Sequence, residues 1–456
     1  MIQRTLKEIT TWLTGNDEAK STQAIKISGV STDTRTIQPG SLFVPLTGEN
    51  FNGHQFAETA MENGAVAALW GKHEAAPPEN LPVIYVEDTL TALQTLAKKY
   101  LAELSVNVVG ITGSNGKTTT KDMVAAVLGK TYRVQKTEGN YNNHIGLPLT
   151  ILALREETEI AVLEMGMSAR GEIEFLSKLA QPDAAIITNI GESHMEELGS
   201  RAGISEAKFE ITAGLSPTGT LIIPGEEPLL TEKTAGCSFQ VRTFGIEETN
   251  DLYPQDVEQR SDGTAFSING ENGSGFFIPI LGKHNVQNAL SAVAAGEVFA
   301  VPREAAKEGL KTLAMTGMRT ELVSAKNGLT FINDAYNASP TSMRAAVSLL
   351  SDMDGYEQKI VVLADMLELG VNEEAFHIET GEAIDPKQID YVLTFGELGE
   401  KIAQGAKRAF GEERVSAYQD KDHLIADLQK IAAPGDIVLV KGSRGKKLED
   451  VVNAFV

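Results

Sequence analysis

The sequence predicts an α/β protein of three domains: a small α/β unit at the N-terminus, a central parallel-sheet domain with a phosphate loop and an antiparallel extension, and a C-terminal doubly wound sheet of Rossmann type. Three observations carry this. Near-continuous apolar runs alternate with helical patterns in two separate stretches, and strands apolar on both faces belong to parallel sheets covered on each side. The chain has 456 residues, more than one hydrophobic core usually serves. Several of the runs end on glycine, hydroxyl or carboxylate residues, and ligands of such sheets collect at the carboxyl ends of the strands.

The first domain is expected over residues 1–104. Leu6, Ile9, Trp12 and Leu13 fall at helical spacing, the runs 41–47 and 83–86 read as strands, and Asp88 is placed to cap a helix over 89–102. Within it lies Ser31-Thr-Asp-Thr-Arg-Thr36, followed by Gly48. Arg35 and the hydroxyls beside it, Thr34 among them, suit a phosphate held bidentately, and Gly48 allows close backbone approach. A solvated turn explains the same residues, and only a neighbouring nucleotide site makes a second phosphate site worth expecting.

The central domain is expected over 105–315. Its apolar run 106–109 leads into Thr112-Gly-Ser-Asn-Gly-Lys-Thr-Thr119 and then an amphipathic helical run, 122–128. Gly113 and Gly116, with Ser114 and Asn115 between them, turn backbone amides onto an anion. A helix N-terminus adds roughly half a positive charge, Lys117 reaches the outer phosphates, and a hydroxyl of Thr118 or Thr119 can ligate Mg²⁺. The usual spacing puts a glycine at position 111; here Ile111 stands there, Gly110 comes one step early, and Gly113 supplies the bend.

Two further runs share this plan. Residues 160–163 end in Glu164-Met-Gly166, and 184–187 end in Thr188-Asn-Ile-Gly-Glu-Ser-His194. Parallel pairing would bring the phosphate loop, Glu164 and His194 to one crevice. Thr118 and Glu164 offer the hard oxygen ligands that Mg²⁺ requires, and the apolar residues after Glu164 favour an enclosed site over a solvated carboxylate. His194 suits a metal or phosphate, and equally an exposed loop. Asn142 and Asn143, in a polar segment closing on Gly-Leu-Pro148, are uncharged hydrogen-bonding groups for a polar substrate, though surface loops are often rich in asparagine. From 219 to 281 the pattern turns to hairpin signals such as Ser261-Asp-Gly263, an antiparallel extension. A helix over 286–299, entered through Gly282-Lys-His-Asn285, closes the domain.

The third domain, 316–456, carries apolar runs ending at Asp334, Asp365, Gly396 and Lys441, and Ser339-Pro340 makes a capped helix start. Asp334-Ala-Tyr-Asn337 places a carboxylate, the Tyr336 ring and the Asn337 amide at a strand end; an ordinary strand-to-helix connection explains that spacing equally well.

Composition narrows the function. A formal charge of −22 without a basic run argues against nucleic-acid partners. The one cysteine, Cys237, cannot form an internal disulfide, and no apolar run is long enough to span a bilayer, so a cytoplasmic protein is expected.

Together these motifs resemble the Mur ligases of bacterial cell-wall synthesis over nearly the whole length. The resemblance rests on Asp33-Thr-Arg35, the phosphate loop, Gly139-Asn-Tyr-Asn-Asn143, Glu164-Met-Gly166, Gly191-Glu-Ser-His194, Gly282-Lys-His-Asn285, Asp334-Ala-Tyr-Asn-Ala-Ser-Pro340, Asp365-Met-Leu-Glu-Leu-Gly370 and Lys441-Gly-Ser443. The Asn-Tyr-Asn-Asn and Asp-Ala-Tyr-Asn segments are most similar to the branch that joins D-alanyl-D-alanine to a UDP-N-acetylmuramoyl tripeptide using ATP and Mg²⁺. The branch adding the third amino acid, and folylpolyglutamate synthase, are the alternatives. The resemblance implies Thr118 and Glu164 as ligands of one Mg²⁺ and His194 of a second. It implies Lys208 as a carbamylated lysine, where the residues alone favour a surface lysine paired with acids. It further implies Asn285, Arg319 and Asp334 near the adenosine, and Thr34, Arg35 and Gly48 at the uridine diphosphate. A monomer is expected, on no motif of the sequence. Thr34, Ser193 and Ala364 depart from common family residues.

Overall fold

The computed structural model describes residues 1–15, 25–260, 262–270, 275–314 and 316–456. Ser261 of the expected hairpin and residue 315, the expected end of the central domain, lie outside them.

The N-terminal unit is built on a four-stranded parallel sheet in the order Val30–Ser31, Ser41–Phe43, Ala65–Gly71, Val83–Val86. The strand expected over 41–47 is shorter. Pro45 has no amide to continue a ladder, so the paired segment stops at Phe43 and Thr47–Gly48 turns away into a small ribbon with Phe51–Asn52. Asp88 caps the helix Thr89–Glu103 through the Thr91 amide at 2.7 Å. That helix is also the seam to the next domain. Leu93, Leu96 and Tyr100 share one buried cluster with Leu147, Ile151 and Leu163, and the Tyr100 hydroxyl donates to the Leu154 carbonyl at 2.8 Å.

The central sheet has six parallel strands in the order Val134–Lys136, Ile160–Glu164, Asn107–Thr112, Ala184–Ile187, Thr220–Pro224, Gln240–Phe244. The strand that feeds the phosphate loop lies inside it, flanked by the strands ending at Glu164 and Ile187, so the three predicted segments do meet at one edge. One expectation changes. Residues 220–244 continue the parallel sheet, because the helix Pro228–Thr234 supplies the crossover a parallel return needs. The antiparallel part is a separate three-stranded sheet, Pro254–Arg260, Gly263–Ile268 and Phe276–Ile278. The helices Lys117–Leu128 and His284–Val298 cover one face, and their apolar residues form a continuous cluster with Val109, Ile111 and Ile186.

The C-terminal sheet runs Glu321–Ser324, Thr330–Asp334, Ile437–Lys441, Lys359–Ala364, Tyr391–Phe395, Val415–Tyr418, parallel except for its first strand. Ser339 caps Pro340–Ser351 in a reciprocal capping box, as Ser-Pro foretells. The carboxyl ends of this sheet and of the central one face each other across a crevice of 560 Å³. No helix among the described residues is long and apolar enough to cross a membrane.

Candidate active site

The phosphate loop is held from the strand end beside it. Gly113 has φ +149°, and a Cβ there would lie 1.8 Å from Thr188 Oγ1, so no other residue fits against that strand. The Ser114 amide donates to the Asn189 carbonyl at 3.1 Å and the Asn115 amide to Asn189 Oδ1 at 3.0 Å. Thr188 Oγ1 in turn donates to the Asn115 carbonyl at 2.6 Å. With the Ser114 and Asn115 amides engaged, the donors left for an anion include those of Gly116 at the N-cap and of Lys117, Thr118 and Thr119 in the first turn, which has no carbonyl one turn back in its helix. Lys117 folds over the loop, its Nζ 2.8 Å from the Gly113 carbonyl. Burial pulls its ammonium below the ordinary lysine range; Glu164 opposes that shift and Arg319 adds to it.

Thr118 and Glu164 are in contact. Thr118 Oγ1 donates to Glu164 Oε2 at 2.9 Å, and Asn142 Nδ2 donates to Oε1 at 2.8 Å. Glu164 is 2 % exposed. Asn143 turns inward on its own segment, accepting from the Ile145 and Gly146 amides at 3.1 and 2.8 Å, and so shapes the wall that Asn142 lines. Two oxygens 2.9 Å apart match neighbouring corners of an octahedron with ligands at about 2.1 Å. Among the described residues no group of three His, Cys, Asp or Glu could hold a metal alone. The Thr118–Glu164 pair therefore suits Mg²⁺ that also takes phosphate oxygens and water.

His194 lines the same crevice, in a left-handed conformation (φ +64°). Burial, then Lys117 and Lys208, lower its pKa to about 4 against the pull of Glu172, so the imidazole is neutral near pH 7. Lys208 is not the surface lysine that its helical setting suggests. It is 1 % exposed, and burial, then Lys117, push its ammonium well below the usual range.

From the facing sheet, Arg319 Nη2 reaches Thr118 Oγ1 at 3.4 Å while its guanidinium lies 4.0 Å over the Tyr336 ring. Asp334 is paired with Lys441 at 2.5 Å, and Lys441 also donates to the Asn337 carbonyl at 2.9 Å. Asn285 is buried, bonded to the Leu281 carbonyl and to Asn288. Ser339 Oγ donates to Asn115 Oδ1 at 3.1 Å, so the two domains touch through the loop itself.

Thr34, Arg35 and Gly48 are not part of this crevice. Arg35 is forked onto Asp33 (2.6 and 2.9 Å) with its side chain 86 % exposed, and Gly48 is exposed on its ribbon. A second cavity of 650 Å³ runs between Ser31, Thr32, Asp33 and Thr36 and the central domain's Tyr132, Lys136 and Tyr141, without Thr34, Arg35 or Gly48 in its wall. Sequence reasoning missed Asn189, Asn288 and Glu368 as site-shaping residues. Asn288 lies three residues, almost one helical turn, after Asn285, which was a usable signal; Glu368 stands inside the segment Asp365-Met-Leu-Glu-Leu-Gly370 and Asn189 directly after Thr188, so both were within reach of the motifs.

Three family domains match along the chain: the Mur ligase family catalytic domain over residues 26–101, the Mur ligase middle domain over 111–296 and the Mur ligase glutamate ligase domain over 318–444. A UDP-N-acetylmuramoyl-tripeptide–D-alanyl-D-alanine ligase of Bacillus subtilis (strain 168) is 55 % identical over 456 residues, covering 100 % of this chain and 99 % of the relative. The chain belongs to the Mur ligase family. Solved Mur ligases share its architecture. MurF from Acinetobacter baumannii superposes with a TM-score of 0.89 at 30 % identity, covering 100 % of this chain and 99 % of that one. MurF ligase from Thermotoga maritima in complex with ADP gives 0.81 at 29 % identity, over 94 % and 96 %. The Mur ligase arrangement of N-terminal, middle and C-terminal domains thus extends over the whole of this chain.

Proposed function

We propose that this Mur ligase joins D-alanyl-D-alanine to the terminal carboxylate of a UDP-N-acetylmuramoyl tripeptide, converting ATP to ADP and phosphate. The observation that carries the reading is the phosphate loop with Lys117 folded over it and the buried Thr118–Glu164 pair beside it, in a crevice closed by a second sheet. The names of the similar ligases supply the substrates.

Lys117 and the first-turn amides neutralise the phosphate tail of ATP, while Asn285, Arg319 and Asp334 surround its adenosine. The tripeptide carboxylate oxygen attacks the γ-phosphorus and ADP leaves. The D-alanyl-D-alanine amine then attacks the acyl carbon, phosphate departs, and the nitrogen loses a proton. Such transfers depend chiefly on positioning and charge neutralisation. Thr118 and Glu164 would hold one Mg²⁺ and His194 a second, and ions so held would supply charge neutralisation to the phosphates. Asn142, Asn143, Tyr336 and Asn337 line the crevice and would meet the peptide substrates there, and Thr34, Arg35 and Gly48 would receive the uridine diphosphate. Lys208, buried and drawn toward the neutral amine, is suited to take up CO₂ with loss of a proton and become an anionic carbamate. The enzyme works in the cytoplasm as a monomer.

The test is acceptor-dependent phosphate release, with product masses read in parallel. Release with D-alanyl-D-alanine and formation of the UDP-pentapeptide are expected. Release with a single amino acid, or with folate and glutamate, in place of the dipeptide would replace this reading.

A further inference from the structure

Asp122 lies on the phosphate-loop helix Lys117–Leu128, one turn after Thr118, and its side chain is wholly buried. A carboxylate so enclosed persists only when its oxygens are matched by donors. Here each oxygen serves a different segment. Oδ1 takes Lys136 Nζ at 2.6 Å, and Lys121 Nζ, 3.6 Å away, donates to the Thr137 carbonyl at 2.8 Å. Those bonds fasten the edge strand Val134–Lys136, which is paired on one side only. Oδ2 accepts from the Thr316 amide at 2.9 Å. Thr316 belongs to the connection between the helix Arg303–Lys311 and the first strand of the third domain, Glu321–Ser324.

Arg319 stands on the same connection, three residues after Thr316. The residues on either side of it, Met318 and Thr320, have φ +60° and +51°, uncommon where a side chain is present. The Thr320 amide donates to Asp334 Oδ1 at 3.2 Å. The connection is thus stapled at one end to the phosphate-loop helix and at the other to a strand end of the third domain. Between the staples, Arg319 Nη2 reaches Thr118 Oγ1 at 3.4 Å and the guanidinium stacks on the Tyr336 ring. Ordering a long side chain costs more entropy when its backbone must be ordered with it, so a fixed backbone favours that pose. We propose that Asp122 is a positioning residue: by holding the Thr316 amide it fixes where the chain leaves the central domain, and so sets Arg319 over Thr118. One buried carboxylate then ties the helix that begins at Lys117 to the arginine that enters from the other side of the crevice. This rests on the part in ATP binding given to Arg319 under Proposed function.

The experiment is a double-mutant cycle in the full chain, Asp122→Asn against Arg319→Ala, read as the KM for ATP with the other substrates saturating. Asp122→Asn keeps one acceptor oxygen where two donors need one each. It should raise the ATP KM about 3–10-fold, with the KM for the UDP-linked tripeptide changing less than about twofold. In the Arg319→Ala background the same substitution should change the ATP KM less than about twofold, because residues that act through one another are not additive. Equal fold changes in the two backgrounds, or an unaltered ATP KM in Asp122→Asn, overturn the proposal. Should Asp122→Asn not fold, Asp122→Ala combined with Lys136→Met, which removes both charges of the pair, enters the same cycle with the same expected result. A normal ATP KM and kcat in Arg319→Ala would instead overturn the reading of Arg319 on which the proposal rests.

Discussion

Two segments of this Mur ligase are proposed to receive phosphate, and they are built in opposite ways. The loop from Gly113 to Thr118 is buried or half-buried, pinned by Thr188 and Asn189 just past the end of the neighbouring strand Ala184–Ile187, and shaped before any ligand arrives. The turn Asp33-Thr-Arg35 is open to solvent, and its cation is already forked onto Asp33. The backbone of the first is set in advance and its ammonium has only a neutral carbonyl to leave, so charge at phosphorus is met with little reorganisation. The second must exchange one anion for another, which suits recognition of a substrate remote from the reacting atoms. A buried loop should therefore govern kcat, and an exposed turn KM.

The largest effect should come from Lys117→Ala. Removing the ammonium proposed to neutralise the transferred phosphoryl group should lower kcat by about 10³-fold or more, while circular dichroism and the denaturation midpoint stay near those of the parent. Normal turnover would remove the distinction altogether. Next is Gly113→Ala, which drives a methyl group into Thr188 Oγ1. Equilibrium unfolding should show a loss of about 1–3 kcal/mol, with kcat reduced as well; an unperturbed variant would mean that the loop is not held as tightly as its contacts indicate. Arg35→Ala should raise KM for the UDP-linked substrate about tenfold with kcat unchanged and the KM for ATP unaffected. A fall in kcat alone would place Arg35 with the chemistry.

The smallest effect is a titration. The Arg35 side chain, and then its backbone amide, hold the Asp33 carboxyl at about 2 rather than 3.8. Because the folded value is the lower one, the pair's contribution is intact above the unfolded value and is lost as pH falls through about 2. Carboxyl ¹³C shifts should therefore show a midpoint near 2, returning toward the free value in Arg35→Ala. A free-acid midpoint in the parent would mean that the fork is not populated in solution and that Arg35 is available from the start.

Legibility in the sequence followed burial. The strands Val83–Val86, Ala184–Ile187 and Tyr391–Phe395 keep the bounds read from their apolar runs, since a proline, a glycine or a polar residue stands at each end. The phosphate loop was readable because glycines mark backbone that other residues cannot adopt. Where the pattern misled, a local feature outweighed it. Pro45 cut one strand short, and the brief helix at Pro228 turned an apparent hairpin region into two more parallel strands. Lys208 shows the limit at the site. Its helix Arg201–Phe209 is polar enough to pass for surface, and only the tertiary fold buries it. The pairs Asn142–Glu164, Arg319–Thr118 and Glu368–His194 join distant segments, so spacing along the chain holds no trace of them.

The central claim is that amides and one ammonium at the start of the helix Lys117–Leu128 hold the phosphate tail of ATP beside the Thr118–Glu164 pair. A crystal structure with Mg²⁺ and a non-hydrolysable ATP analogue tests it most directly. The account predicts phosphate oxygens within hydrogen-bonding distance of the Lys117 and Thr118 amides and of Lys117 Nζ, with the metal on Thr118 Oγ1. Triphosphate bound elsewhere, with Lys117 still folded onto the Gly113 carbonyl, would contradict it.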